Sequence, residues 1–264
     1  LAGRNPVLAL VHHPLALESG LSTEQCVALQ NSERAALAAV RGVVVTSSAT
    51  ARLVIADYGV PAERITVAKP GSDRPPPAQD RDRDAVVRLL SVGSVIPRKG
   101  FDVLTAALAT LTDLSWRLTI AGDLTRDRSA AAQLEADIER HGLRDRIVAT
   151  GAVSPEHLAA LYEQADAFVL ASRFEGYGMA YAEAIAHGLP VVGSDAGAIP
   201  ETVSPDAGLL VPSGDVTALA RALRRIIADI DLRGCMARAA RAAAPLLPTW
   251  RQSAEILVRA LETL

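Results

Sequence analysis

Lysine is nearly absent from this chain: of its 27 basic residues, all but Lys69 and Lys99 are arginine. Cysteine is scarce too. Cys26 and Cys235 have neither metal-ligand nor redox spacing, which excludes a zinc module and a Cys-x-x-Cys centre and fits a reduced, cytoplasmic protein. No apolar run approaches the roughly 18 residues of a membrane span. The opening LAGRNPVLALVHHP has too short an apolar stretch for a secretory signal, and His12 and His13 interrupt it. Peripheral membrane contact stays open. A net charge of -3 argues against general nucleic-acid affinity. What is present is a globular composition, half hydrophobic and 22% charged.

The first 68 residues alternate in character. An apolar run over 7–11 predicts a short buried strand, and a helical pattern over 23–40 ends near Gly42, a candidate C-terminal cap. VVVTSS reads as a strand, Ser48 as the cap of a helix reaching Tyr58, and 65–68 as a further strand. KPGSDRPPPAQDRDRD, residues 69–84, reads as a linker. Beyond it, strands are expected at 88–92, 117–121, 147–150, 167–171, 190–192 and 208–211. Helices are expected at 101–111, 128–141, 155–164, 178–187 and 216–230. Such alternation implies crossover units and a parallel sheet, whose ligands bind beyond the carboxyl ends of the strands. The tail, 232–264, reads as two helices broken by Pro245 and Pro248.

Two stretches carry chemistry. In RFEGYGMAYAEAIAHGLPVV, residues 173–192, a strand runs through a glycine-flanked loop into a helix. The N–H groups of Tyr177, Gly178, Met179 and Ala180 are helix-start donors that attract phosphate. Gly176 and Gly178 allow a ligand close to the backbone. Glu183, inside the helix, can accept from sugar hydroxyls, and Glu175 on the loop is free to face a cleft. The alternative is two solvated glutamates beside glycines that only turn the chain. In LLSVGSVIPRKGFDVLTAAL, residues 89–108, a strand ends at Gly93 and Ser94, and Arg98 and Lys99 precede a helix. A guanidinium fork and a point-charge ammonium suit a diphosphate; a solvated basic pair is the alternative.

Together these stretches resemble the nucleotide-sugar-binding half of GT-B retaining glycosyltransferases, the glycogen-synthase-like group that includes family 4. SVGSVIPRKGFD, FEGYGMAYAE, HGLPVV, GAIPE and GLLVPSGD match its motifs in order and spacing over about residues 65–264. The resemblance implies an α/β fold: a Rossmann-like parallel-sheet domain over 69–245, a remnant of the acceptor-side Rossmann-like domain over 1–68, and a terminal helix over 246–264 packing back on that remnant. It implies a metal-independent hexosyltransferase that moves a sugar, with retention, from a UDP- or GDP-linked donor to an unidentified acceptor, with no cofactor.

Arg98 and Lys99 would then hold the diphosphate, near Gly93 and Ser94. Glu183 would hold the ribose, and Glu175 would contact the donor sugar or stabilise the oxocarbenium-like transition state. Backbone groups of residues 177–180 would touch phosphate, with Gly176 beside them in the donor site, and the GAVS loop with Val153 would border the base. His12 or His13 would be the cleft-facing histidine of the family; a strand-end structural histidine is the alternative. Asp80–Asp84 and Asp229–Asp231 read as solvated charge and not as a metal-binding Asp-x-Asp. His141 and His187 read as charged helix ends, His157 as solvent-facing, and Trp116 and Trp250 as packing residues. Two departures stand out: about 64 residues precede the linker-proximal motifs where the family has well over twice that, and Ala198 replaces a second glycine. A chain short of that first domain is expected to bind a nucleotide sugar but transfer poorly. The alternatives are a nucleotide-sugar-binding subunit without turnover, and a 2-epimerase-like isomerase.

Overall fold

Aliphatic runs such as GVVV and AFVL have no polar alternation, and each becomes a strand covered on both faces. The computed structural model describes residues 6–73, 75 and 86–263. Its first sheet joins β1 (Leu8–Val11), β2 (Gly42–Val45) and β3 (Ile65–Val67), all parallel, in the order β1-β2-β3. Helices α1 (Thr23–Ala39) and α2 (Ser48–Tyr58) make the crossovers.

The second sheet contains β4 (Val87–Val92), β5 (Trp116–Ala121), β6 (Ile147–Gly151), β7 (Ala167–Leu170), β8 (Val191–Asp195) and β9 (Gly208–Pro212). Every pair is parallel and the order is β6-β5-β4-β7-β8-β9. Helices α3 (Phe101–Ala109), α4 (Arg128–Arg140), α5 (Pro155–Gln164), α6 (Met179–Ala186), α7 (Ile199–Thr202), α8 (Val216–Ala228) and α9 (Ile230–Ala243) flank it. Its core holds Leu89, Leu90, Trp116, Ile120 and Phe168, all almost fully buried. Burial of a side chain of this size contributes about 1.5–3 kcal/mol. Helix α10 (Trp250–Glu262) lies over the first sheet, where Ala260 packs with Val44 and Ala68.

Several local expectations are corrected. Gly42 does not cap α1: it opens β2, because the chain leaves the helix in extended backbone at Val40. The α2 cap is Ser47, whose hydroxyl accepts from Thr50 N at 3.0 Å. The helix expected over 216–230 stops at Ala228, where Asp229 turns extended and caps α9 by accepting from Leu232 N. That bond explains the Asp229–Asp231 stretch; Asp80–Asp84 lies outside the described residues. Trp116 is buried as expected, but the Trp250 ring is half exposed, because it is the backbone of α10 that packs on Gly71. His157 faces solvent. His187 stacks on Tyr162, with ring centroids 4.8 Å apart, and burial pushes its titration below the ordinary histidine range. This opposes the partial positive charge expected of it at the helix end.

Candidate active site

Strand order builds the site. The chain winds outward from β4 to β6, then crosses back to place β7 on the other side of β4. The loops leaving β4 and β7 therefore diverge around a crevice at the sheet's switch point, the usual ligand position in such folds. The Arg98 turn and the Glu175 loop are those two loops.

They meet directly. Lys99 Nζ donates to Glu175 Oε1 at 2.6 Å, and Ser172 Oγ donates to the same oxygen at 2.7 Å. The Lys99 stem lies over Gly93, where a Cβ would come within 3.1 Å of it. Arg98 is almost buried. Its Nη1 donates to Glu175 Oε2 at 3.3 Å and to Phe174 O at 2.9 Å, and its Nε to Glu18 Oε1 at 3.1 Å. Three of a guanidinium's five N–H groups are thus spent on protein oxygens. The expected fork for a diphosphate is largely a brace between loops, while among the described residues Lys99 spends one of its three donors, on Glu175. Burial is the largest single influence on the Glu18 carboxyl and raises it, but the Arg98 guanidinium, the Ser19 N–H and His13 together lower it further, and the net shift is downward.

The loop backbone is polarised. The carbonyls from Phe174 to Gly178 all accept hydrogen bonds: Phe174 from Arg98, Glu175 from Ala198 N, Gly176 from Thr46 and Thr50, Tyr177 from Thr202, and Gly178 from Tyr181 N and Ala182 N. In a trans peptide the next N–H points away from the carbonyl. Among the described residues, the N–H groups from Phe174 to Ala180 have no partner within the protein. Such a run at the start of α6 is an anion-binding nest. The glycines serve it differently than expected. A Cβ on Gly176 would fall 1.9 Å from His12 O, so this glycine admits the first sheet's loop and not a ligand. Gly178 takes φ 90° as the residue before α6.

Glu183 lies half-buried on α6 and accepts from Tyr162 Oη at 2.8 Å. Burial holds its carboxyl above the usual range; the tyrosine bond opposes this and Asp73 adds to it. Tyr177, also buried, is pushed up to about 12.

The two histidines separate. The His12 side chain is exposed, whereas His13 is half-buried, with Nε2 3.4 Å from Glu18 Oε2 and its ring 6.4 Å from that of Phe174. Ser94 leaves β4 and Val153 follows β6, at the same end of the sheet; among the described residues neither bonds to the Glu175 loop. Sequence reasoning missed Glu18, Thr46, Thr50, Ser172 and Tyr162. The one signal among them is Glu18, a lone charge in the apolar LALESGL.

Residues 78–243 match the model of the family described as glycosyl transferases group 1. The chain belongs to that family. Among curated group 1 relatives, D-inositol 3-phosphate glycosyltransferase of Xylanimonas cellulosilytica is 33% identical over 227 residues, 80% of this chain and 54% of the relative. MMP alpha-(1->4)-mannosyltransferase of Mycolicibacterium hassiacum is 27% identical over 247 residues, 84% of this chain and 56% of the relative. The chain spans about half the length of these relatives. Among solved structures, sucrose-phosphate synthase from Thermosynechococcus elongatus superposes with a TM-score of 0.82 at 26% identity, covering 97% of this chain and 67% of that one. Anabaena HepE, in complex with UDP and glucose, superposes with a TM-score of 0.83 at 22% identity, covering 98% and 72%. The two-sheet arrangement is the GT-B fold.

Proposed function

We propose that this group 1 chain belongs to a retaining glycosyltransferase that takes a sugar from a UDP- or GDP-linked donor. The observation that carries the reading is the 2.6 Å contact of Lys99 with Glu175 across the switch-point crevice, beside the unpartnered N–H run that leads into α6. In the reaction, an acceptor hydroxyl oxygen bonds to the anomeric carbon as the bond from that carbon to the phosphate oxygen breaks. The hydroxyl proton passes to the departing phosphate, giving a glycoside and a nucleoside diphosphate. Negative charge grows on the leaving group. Lys99 and the preoriented N–H groups meet it there, so the barrier falls without a metal. Glu183 receives the ribose hydroxyls.

Glu175 has its two oxygens engaged by Lys99, Ser172 and Arg98, a poor state for a nucleophile of the kind retaining hydrolases use. This supports a reading in which the acceptor attacks the same face with retention and Glu175 orients the donor sugar. The position of His13 beside Glu18 and the Phe174 ring supports giving it, and not His12, the family histidine's role toward the sugar or acceptor.

Titration calorimetry of the 264-residue chain with UDP and GDP tests the reading. One nucleotide binds, and Lys99→Ala and Glu183→Ala each weaken it. Unchanged affinity in both variants, or no binding of either nucleotide, overturns it.

A further inference from the structure

The Gly176 carbonyl differs from its neighbours. Among the described residues it is the one carbonyl of the 174–178 run that is held from the first sheet; the others are held by Arg98, Ala198, Thr202 and the first turn of α6. Thr50 Oγ1, on α2, donates to Gly176 O at 3.1 Å and accepts from Ser47 Oγ at 2.9 Å. The hydroxyl direction is therefore set: Ser47 to Thr50 to the carbonyl. Thr46 Oγ1 lies 3.2 Å from the same carbonyl and 3.0 Å from His12 O, so its single proton is shared between two acceptors. Both threonines are buried, and the Gly176 Cα sits flush against His12 O.

This carbonyl shares its planar trans peptide with the N–H of Tyr177. Whatever holds the carbonyl toward α2 holds that N–H in the opposite direction, at the centre of the run that leads into α6. We propose that Thr50, assisted by Thr46, is a positioning residue for the donor diphosphate: from the first sheet, it aims the Tyr177 N–H at the phosphates. It touches no substrate and acts through a peptide plane. The anion nest is then complete only while the two sheets are docked, which couples diphosphate binding to their contact. The inference rests on the nucleotide reading above.

The test compares Thr50→Val, which keeps the shape and removes the hydroxyl, with Thr50→Ser, which keeps the hydroxyl. UDP and uridine, and GDP and guanosine, are titrated into each. Thr50→Val should weaken the diphosphate about tenfold, the scale of one hydrogen bond. Nucleoside affinity should stay unchanged, and Thr50→Ser should bind as the original chain does. An equal loss for nucleoside and diphosphate, or no loss, overturns the proposal. In the ligand-free protein, Thr50→Val should displace the backbone amide resonance of Tyr177, while Thr50→Ser leaves it in place. An unmoved resonance overturns the proposal whether or not any nucleotide binds. If the original chain binds neither nucleotide, the functional reading fails on its own and the amide measurement still decides the role of Thr50. Should Thr50→Val not fold, Thr50→Ala carries the same comparison.

Discussion

Lys99 and Arg98 are adjacent cations with different duties. Among the described residues Lys99 bonds to Glu175, while Arg98 is tied to Glu18, Phe174 and Glu175. Lys99→Ala should weaken UDP or GDP binding by roughly 1.5–3 kcal/mol, the scale of a charge-assisted contact, read by calorimetry. Glu183 supplies a pH signature. Its folded carboxyl titrates above the ordinary range, chiefly through burial. Its stabilising effect is therefore present below the ordinary carboxylate pKa and is lost as pH rises through the raised value. At neutral pH the charge costs stability. Glu183→Gln, which can still accept from Tyr162, should raise the melting temperature at neutral pH, and the gain should shrink toward pH about 4. A variant that melts lower than the original at neutral pH would contradict this assignment, even if nucleotide binding also fell.

At the scale of elements, the loop into α6 is held from three directions: the Arg98 turn, the first sheet and α7. Gly176 is its tightest point. Gly176→Ala drives a methyl into His12 O and should destabilise the protein by about 1–3 kcal/mol in urea denaturation, with a matching loss of nucleotide affinity. Most elements were legible because each has its own periodic signal and turn residues. The misses share a cause. Asp229 ends α8 and starts α9 without a glycine or proline to announce the break. The stretch IPET falls in none of the expected elements, yet it forms the single turn α7, whose Thr202 holds Tyr177 O. Short elements of this kind draw their stability from tertiary partners, so local pattern does not reveal them.

On the scale of the whole molecule, the two sheets are joined by polar bonds and by α10. Glu201 of GAIPE accepts from Ser48 N at 3.0 Å and pairs with Arg52, which ties β8's following turn to the start of α2. Ala260 on α10 is buried among Val44 and Ala68 of the first sheet. Ala260→Arg puts a charge into that contact and should cost about 2–4 kcal/mol, seen as a lower urea midpoint. If the first sheet is stabilised by α10 in this way, the variant should also loosen the Thr50 contact and weaken UDP or GDP. Unaltered stability would show that the helix end is not packed there.

By itself, the sequence determined the alternation of strand and helix, hence the parallel sheets, and it placed a basic turn and a glutamate loop at strand ends. Those are local matters, written in periodicity and in turn chemistry a few residues long. Tertiary structure alone decided which ends meet. Lys99 reaches Glu175 across 76 positions, and Thr50 reaches Gly176 across 126, because β7 crosses back beside β4 and the first sheet docks on the loop that follows. Strand order and the docking of two sheets are set by the packing of surfaces far apart in the chain, and no short pattern of residues encodes them.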